Sequence, residues 1–438
     1  MAEIIPFHGF RYNDHQINDL SKVVAPPYDV ISPKHQDELY ERHPKNIVRL
    51  ILAKQYPDDT KTQNRYTRAA HDLHSWIADG TLLRDEKPAF YINTVEFTVH
   101  NKSYTRYGII GLARLEPFDK KIILPHEMTF SKVKSDRLEL ITQCKANLSP
   151  IFSIYSDEHN LLTTFKNAIQ NKQPVLDVED DYQVRHQLWK VTDTDILNSI
   201  THSFQNQRLY IADGHHRYET ALNYRNLLLK TEPNLADNHP SNYVLMYLCS
   251  MEDPGLCILP SHRILKAINP AAIASFEQNA QSFFTVESIP MAKPEILREM
   301  IAQKLEMDSH RIKIGVVFHK HLKAYILTLK PDAVQAAMGS NISPLLQQLD
   351  VSILTFLVLG KLFDISPKQL DDENVIKYSS NTLEALQYVD EQDSSAVFIL
   401  NPTRVSQVRD IALNGEIMPR KTTYFYPKVM SGLVINKL

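Results

Sequence analysis

The 438-residue chain reads as a mixed α/β, or α+β, protein. Three observations predict this. Short apolar, β-branched runs recur between segments with helical spacing. The chain is 43% hydrophobic and 23% charged, the balance of a globular protein rather than a disordered one. Its length suits two or three domains of about 100–200 residues each.

The elements follow in order. Val24-Ala25-Pro26-Pro27-Tyr28-Asp29-Val30-Ile31-Ser32-Pro33 is proline-marked, and consecutive prolines hold an extended or turning backbone. Helical spacing follows over 34–42 and 65–78. Residues 89–99 and 104–115 read as a hairpin joined through His100-Asn101-Lys102-Ser103. A helix is expected over 132–146, strands over 151–155 and 182–191, a short strand over 209–212 and a helix over 218–229. Strand and helix alternate on to residue 265, and the turn-rich stretch 233–240 is a candidate boundary. Beyond 266 the pattern is more helical, with a strand pair at 312–318 and 324–329, a buried helix over 345–363, a strand at 398–400 and a helix over 405–413.

Composition excludes several classes. Lys and Arg total 48 against 51 Asp and Glu, so the net charge of −3 argues against a dedicated nucleic-acid binder. Cys144, Cys249 and Cys257 form no CxxC and cannot frame a chain of this length, which suits a reducing cytoplasm. The start, Met1-Ala2-Glu3-Ile4-Ile5-Pro6, has no signal-peptide pattern, and the longest apolar run, about 351–360, is half a membrane span. A soluble, cytoplasmic protein is expected. There is no GxGxxG, no GxxxxGK[ST], no GxSxG, and no second histidine at metalloprotease spacing after His126-Glu127.

One string carries most weight. Leu209-Tyr210-Ile211-Ala212 runs into Asp213-Gly214-His215-His216-Arg217, and then a helix with Ala221, Tyr224 and Leu228 on one stripe. With only 11 glycines in the chain, one in a dense polar string points to a backbone need. A strand, a tight glycine turn and a helix start form an anion site, because the first helical N–H groups are unpaired and carry the positive end of the dipole. Asp213 at the strand end is where a carboxylate can hold Mg²⁺ against phosphate oxygens. The bland alternative makes Asp213 an N-cap and the histidines surface or loop-bonding residues. Adjacent histidines on a helix point about 100° apart, so they do not make a zinc pair.

A second constellation is Leu124-Pro125-His126-Glu127-Met128-Thr129-Phe130-Ser131-Lys132, then Ser135-Asp136-Arg137. A carboxylate just past an apolar strand can serve as the general base of phosphoryl transfer to a hydroxyl. Its plain alternative is an acidic helix start at Glu127 or a cap at Ser131. Three strings read first as structure: Pro260-Ser261-His262-Arg263, the Pro26-Pro27-Tyr28-Asp29 turn, and the aromatic, cationic segment 418–428 as packed chain.

Asp213-Gly214-His215-His216-Arg217-Tyr218, Ala25-Pro26-Pro27-Tyr28-Asp29-Val30, Pro125-His126-Glu127 and Tyr424-Phe425-Tyr426-Pro427-Lys428 together resemble domain of unknown function family 1015, almost end to end. The resemblance implies a ParB/sulfiredoxin-like core, related to nucleotide-dependent kinases of free L-serine. It implies ATP or ADP with Mg²⁺ and a small hydroxylated acceptor; a homodimer is compatible with it, no membrane partner is expected, and the balanced charge disfavours a nucleic-acid partner. Carried over, Glu127 with His126 would be the catalytic pair and Glu127 the base. Asp213 would hold Mg²⁺ or substrate, and Gly214, His215, His216 and Arg217 would cradle phosphates. The alternative is a ParB-like nucleotide-binding switch or scaffold without net transfer. Against the small kinases, residues 151–191 read as a hairpin-like insertion and the C-terminal part as an extension. Arg420 stands where the family often has proline. The expected division is a nucleotide-binding region over 1–265 and an α/β extension over 266–438.

Overall fold

Alternating aromatic and β-branched residues build the two longest strands, β1 (Phe90–Val99) and β2 (Lys102–Arg114), which pair antiparallel from Val99–Lys102 to Tyr91–Ile110. Only His100 and Asn101 lie between them, both at positive φ (49° and 63°), the geometry of the two-residue turn that matches strand twist. In this computed structural model all residues are described except 267, 308–309, 335–341, 367 and 394. The chain divides into two units, Met1–Cys257 with Phe425–Leu438, and Ile258–Tyr424.

The first unit is organised on a nine-stranded sheet. Besides β1 and β2 it contains β3 (Ile123–Leu124), β4 (Ile151–Tyr155), β5 (Leu176–Glu179), β6 (Arg185–Val191), β7 (Leu209–Asp213) and β8 (Tyr243–Ser250), in the order β3-β7-β4-β8-β2-β1-β6-β5, with Ile4–Ile5 paired to β2. All eight residues of β8 are buried, as its continuous apolar run demands of a central strand. Beside it, Gly108 of β2 leaves room for the Tyr247 ring; a Cβ there would lie 2.0 Å from it. One face packs on α1 (Leu161–Ile169), α2 (Thr194–Phe204) and α3 (His215–Thr231), through Phe165, Phe204 and Tyr218 against Ile151, Ile211 and Met246.

Residues 151–155 and 185–191 do not pair with each other. β4 sits inside the sheet between β7 and β8, while β6 pairs β1 and β5 at the far edge. Burial of all five β4 residues demands the interior place. The junction of the units lies at 257/258 rather than 265/266, and the last fourteen residues (438 − 425 + 1) return to the first unit.

The second unit holds an antiparallel six-stranded sheet. Its strands are β9 (His262–Leu265), β10 (Phe284–Pro290), β11 (Lys313–Phe318), β12 (Lys323–Leu329), β13 (Ile376–Ser379) and β14 (Ala396–Ile399), ordered β10-β12-β11-β14-β9-β13. Strand alternation sorts its faces: Val397 and Ile399 join Leu297, Ile301 and Val389 of two covering helices, while Ala396 and Phe398 join Phe276 and Leu357 on the other side. The expected helix over 345–363 is a short α-turn, Asp350–Ile353, continued as a π-helix over Leu354–Leu362. No helix among the described residues is long and apolar enough to cross a membrane.

Candidate functional site

Strands β3 and β7 are parallel neighbours, with Ile123 beside Leu209 and Leu124 beside Tyr210. The chain therefore leaves both at the same end, and Pro125-His126-Glu127 meets Gly214-His215-His216. Gly214 has φ +93°, a left-handed conformation that lets α3 begin at His215, three residues before the expected start. A Cβ at this glycine would press to 3.0 Å on the Arg217 guanidinium. The first intrahelical bond is Tyr218 N–H to Gly214 O, 3.0 Å, so the preceding N–H groups lie at the open start of the helix. Asp213 does not act as its cap, since the N-cap residue is Gly214 and no side chain caps it.

Both histidines receive the 126–130 segment. The His126 backbone N–H donates to His215 Nε2 (3.3 Å) and the Phe130 backbone N–H to His216 Nε2 (2.9 Å). The His126 and His215 rings meet edge to face at 4.7 Å. Thr129 donates its hydroxyl to Glu219, and Lys134 reaches the same carboxylate at 2.7 Å. The helix that follows, Ser131–Cys144, has Phe130 at its N-cap without a side-chain cap, so Ser131 does not cap it. Burial pushes the His126 imidazole down to about 4, and burial with the neighbouring His126 pushes His215 well below the usual value. Both are neutral near pH 7. Nε2 of His215 accepts, so its proton sits on Nδ1, 4.0 Å from Glu127 Oε2, too long for a hydrogen bond. Glu127 is 31% exposed, within reach of a ligand.

Positive charge comes instead from Arg217 and Lys428. Asp213 accepts from Arg217 Nη2 at 2.6 Å on one oxygen and from Lys428 Nζ on the other. Burial raises the Asp213 carboxyl, but Lys428 and Arg217 outweigh it and hold it at about 2. Two cations on one carboxylate leave a surplus positive charge, and both carboxylate oxygens are engaged. The expected Mg²⁺ role of Asp213 would require Arg217 or Lys428 to give up one of these oxygens. A divalent cation would meet the charges of Arg217 and Lys428 there, and the described residues contain no group of three His, Cys, Asp or Glu able to hold a metal. The residues fit a phosphate, not a protein-built magnesium site.

On the other side of Arg217 lies a cavity of about 60 Å³ bordered by Tyr28, Arg137, Leu140, Ser149 and Thr220. Arg137 stacks on the Tyr28 ring at 4.1 Å and donates to Ile51 O at 2.7 Å. Burial pushes the Tyr28 phenol up to about 12, so it stays neutral.

The structure thus brings together all seven sequence-derived residues, His126, Glu127, Asp213, Gly214, His215, His216 and Arg217. The sequence reasoning missed Lys428 and Arg137 as site members, although both stand inside strings it had singled out. Phe425 does pack, as expected of that segment, with its ring 5.6 Å from Phe152 and 6.3 Å from His126, and this packing delivers Lys428. His262 and Arg263 belong to the second unit.

A profile of the family described as "Protein of unknown function (DUF1015)" matches residues 4–352. No curated protein matches. Among solved structures, a mutant free serine kinase in complex with ADP is similar at 14% identity and TM-score 0.33, covering 71% of this chain and 89% of that one. A conserved hypothetical protein from Pyrococcus furiosus is similar at 15% and 0.32, covering 70% and 89%. SbnI from Staphylococcus aureus, truncated at its C-terminus, is similar at 11% and 0.33, covering 73% and 85%.

Proposed function

This chain belongs to the DUF1015 family, and from the chemistry of the corner at Asp213 we propose that it is a phosphotransferase. In this reading it moves a phosphoryl group from ATP or ADP to the hydroxyl of a small metabolite, with free L-serine as the first acceptor to test. The observation that carries it is the surplus charge at Asp213, where Arg217 and Lys428 share one carboxylate beside the open start of α3. A nucleotide's phosphates would draw on those cations and on the helix N–H groups, which is the electrostatic positioning this chemistry needs.

Glu127 is the base. The acceptor oxygen bonds to phosphorus, the bond from phosphorus to the bridging oxygen of the nucleotide breaks, and the hydroxyl proton goes to Glu127. Neutral His215, with Nδ1–H 4.0 Å from Glu127, adds no positive charge that would quench the base. No step passes through a metal held by Asp213.

The test is ³¹P NMR of the full chain with ATP or ADP, Mg²⁺ and L-serine. Phosphoserine is expected. Its absence with nucleotide binding intact ends the serine version. Glu127→Gln should lower turnover by about 10²-fold or more with nucleotide affinity kept; unaltered turnover removes Glu127 from the role. A second reading, the ParB/sulfiredoxin-like switch, is favoured by the Lys428–Asp213 pair. An anion that draws Lys428 away also pulls on the C-terminal segment, reporting occupancy without chemistry. Nucleotide-dependent self-association with no acceptor consumed would select it.

A further inference from the structure

We propose that the cavity between Tyr28, Arg137 and Arg217 seats a carboxylate, so that the small molecule taken by this protein is an amino acid or hydroxy acid rather than a neutral alcohol. The identification of that acid as acceptor rests on the phosphotransfer reading; the cavity's preference for a carboxylate does not.

Three observations carry it. The cavity stands between two carboxylates that each serve two cations: Asp136 pairs with Arg65 and with Arg137, and Asp213 with Arg217 and Lys428. Four cations against two carboxylates leave two positive charges in surplus. Tyr28 between them is neutral, and Asp29 next to it is exposed, where water screens it. The second observation is the surroundings. Leu140, Leu148 and Val244 line the same space, and Arg137 and Arg217 are only 8% and 12% exposed. An anion is drawn more strongly to such cations in apolar surroundings than in water, and a guanidinium's planar donors match a carboxylate. The third is Thr220 on the cavity wall. It is 3% exposed, and its buried hydroxyl has no hydrogen-bond partner among the described residues. Such a group ordinarily has a partner, and a ligand oxygen supplies one.

The experiment is isothermal calorimetry on the full chain, with and without ADP, using L-serine and D-glycerate against L-serinamide and glycerol. Both acids are expected to bind, with the amide and glycerol weaker by roughly tenfold or more. Arg137→Lys should weaken the acids by about tenfold while ADP affinity stays within about twofold. Because Arg137 also bonds Ile51 O, Thr220→Val supplies a variant that keeps volume. It should weaken the acids a few-fold and leave the urea midpoint unchanged or raised, since the lost hydroxyl had no partner. Equal binding of L-serinamide, no binding of either acid, or unchanged acid affinity in both variants overturns the proposal. Acid binding with no phosphoryl transfer would overturn the phosphotransfer reading alone. Transfer to glycerol at the rate seen with D-glycerate would overturn the carboxylate seat alone.

Discussion

Each unit holds a histidine and an arginine close in sequence, and the two settings use them differently. In the first unit His215 and Arg217 open a helix, and Arg217 meets a carboxylate that it shares with Lys428. In the second unit His262 and Arg263 lie within a strand, 1% and 2% exposed. Arg263 donates to the carbonyls of Ser261, Arg420 (3.1 Å) and Lys421 (3.0 Å) under the Tyr378 ring, and burial drags its guanidinium down to about 10. Carbonyls offer partial charge only, so that cation is anchored to the backbone it ties together. A cation on a shared carboxylate can be handed to another anion. The same residue types make a clasp in one place and a grip in the other.

Acid should expose the comparison most strongly. The unfolded chain protonates its histidines near 6.5, but burial holds His126 at about 4 and His262 at about 3. Between those values the folded state binds fewer protons, so stability falls as pH drops below 6.5. The loss from His126 levels off near 4 and that from His262 near 3, each of the order of 3–5 kcal/mol at about 1.4 kcal/mol per unit. Asp213, held at about 2, adds a further loss from about 4 down to 2 as its ion pairs are protonated away. Urea midpoints at pH 7, 5.5 and 4.5 measure this, and His262→Gln should flatten the profile. Equal midpoints at all three values would sink the argument.

Arg263→Met comes next. Three carbonyls lose their donor, for about 3 kcal/mol or more by urea unfolding. A change under about 0.5 kcal/mol would mean the clasp is ornamental. Arg217→Met should cost less, about 1–2 kcal/mol, because Lys428 keeps Asp213 paired and one carbonyl, that of Pro150, loses its donor, yet it should weaken ADP or pyrophosphate binding by roughly tenfold. Intact affinity by calorimetry would erase the distinction between grip and clasp. Smallest is Tyr378→Phe, which removes the bond to Leu370 O at 3.0 Å but keeps the ring over Arg263; about 1 kcal/mol is expected, measured the same way.

Local chemistry was the legible part. The expected helices 65–78 and 405–413 coincide with Arg65–Ala78 and Val405–Leu413, and the 89–115 hairpin is present. The strand-to-glycine-to-helix corner was readable because its residues are consecutive. What escaped was set by pairing at long range. Nothing within 151–155 says that it lies between β7 and β8 rather than in a hairpin. Nothing near Asp213 announces a lysine 215 residues away. Burial, which only the fold reveals, is what keeps His126 and His215 neutral.

The return of Phe425–Leu438 to the first unit has a consequence for biosynthesis. Asp213 leaves the ribosome 215 residues ahead of Lys428, roughly ten to forty seconds earlier at about 5–20 residues per second. Through that interval the nascent Asp213 has Arg217 beside it in sequence but lacks its second cation. The two-cation pairing of Asp213 is therefore completed late in translation, and a chain stopped short of residue 428 would emerge with Arg217 as its single cationic partner of the pair.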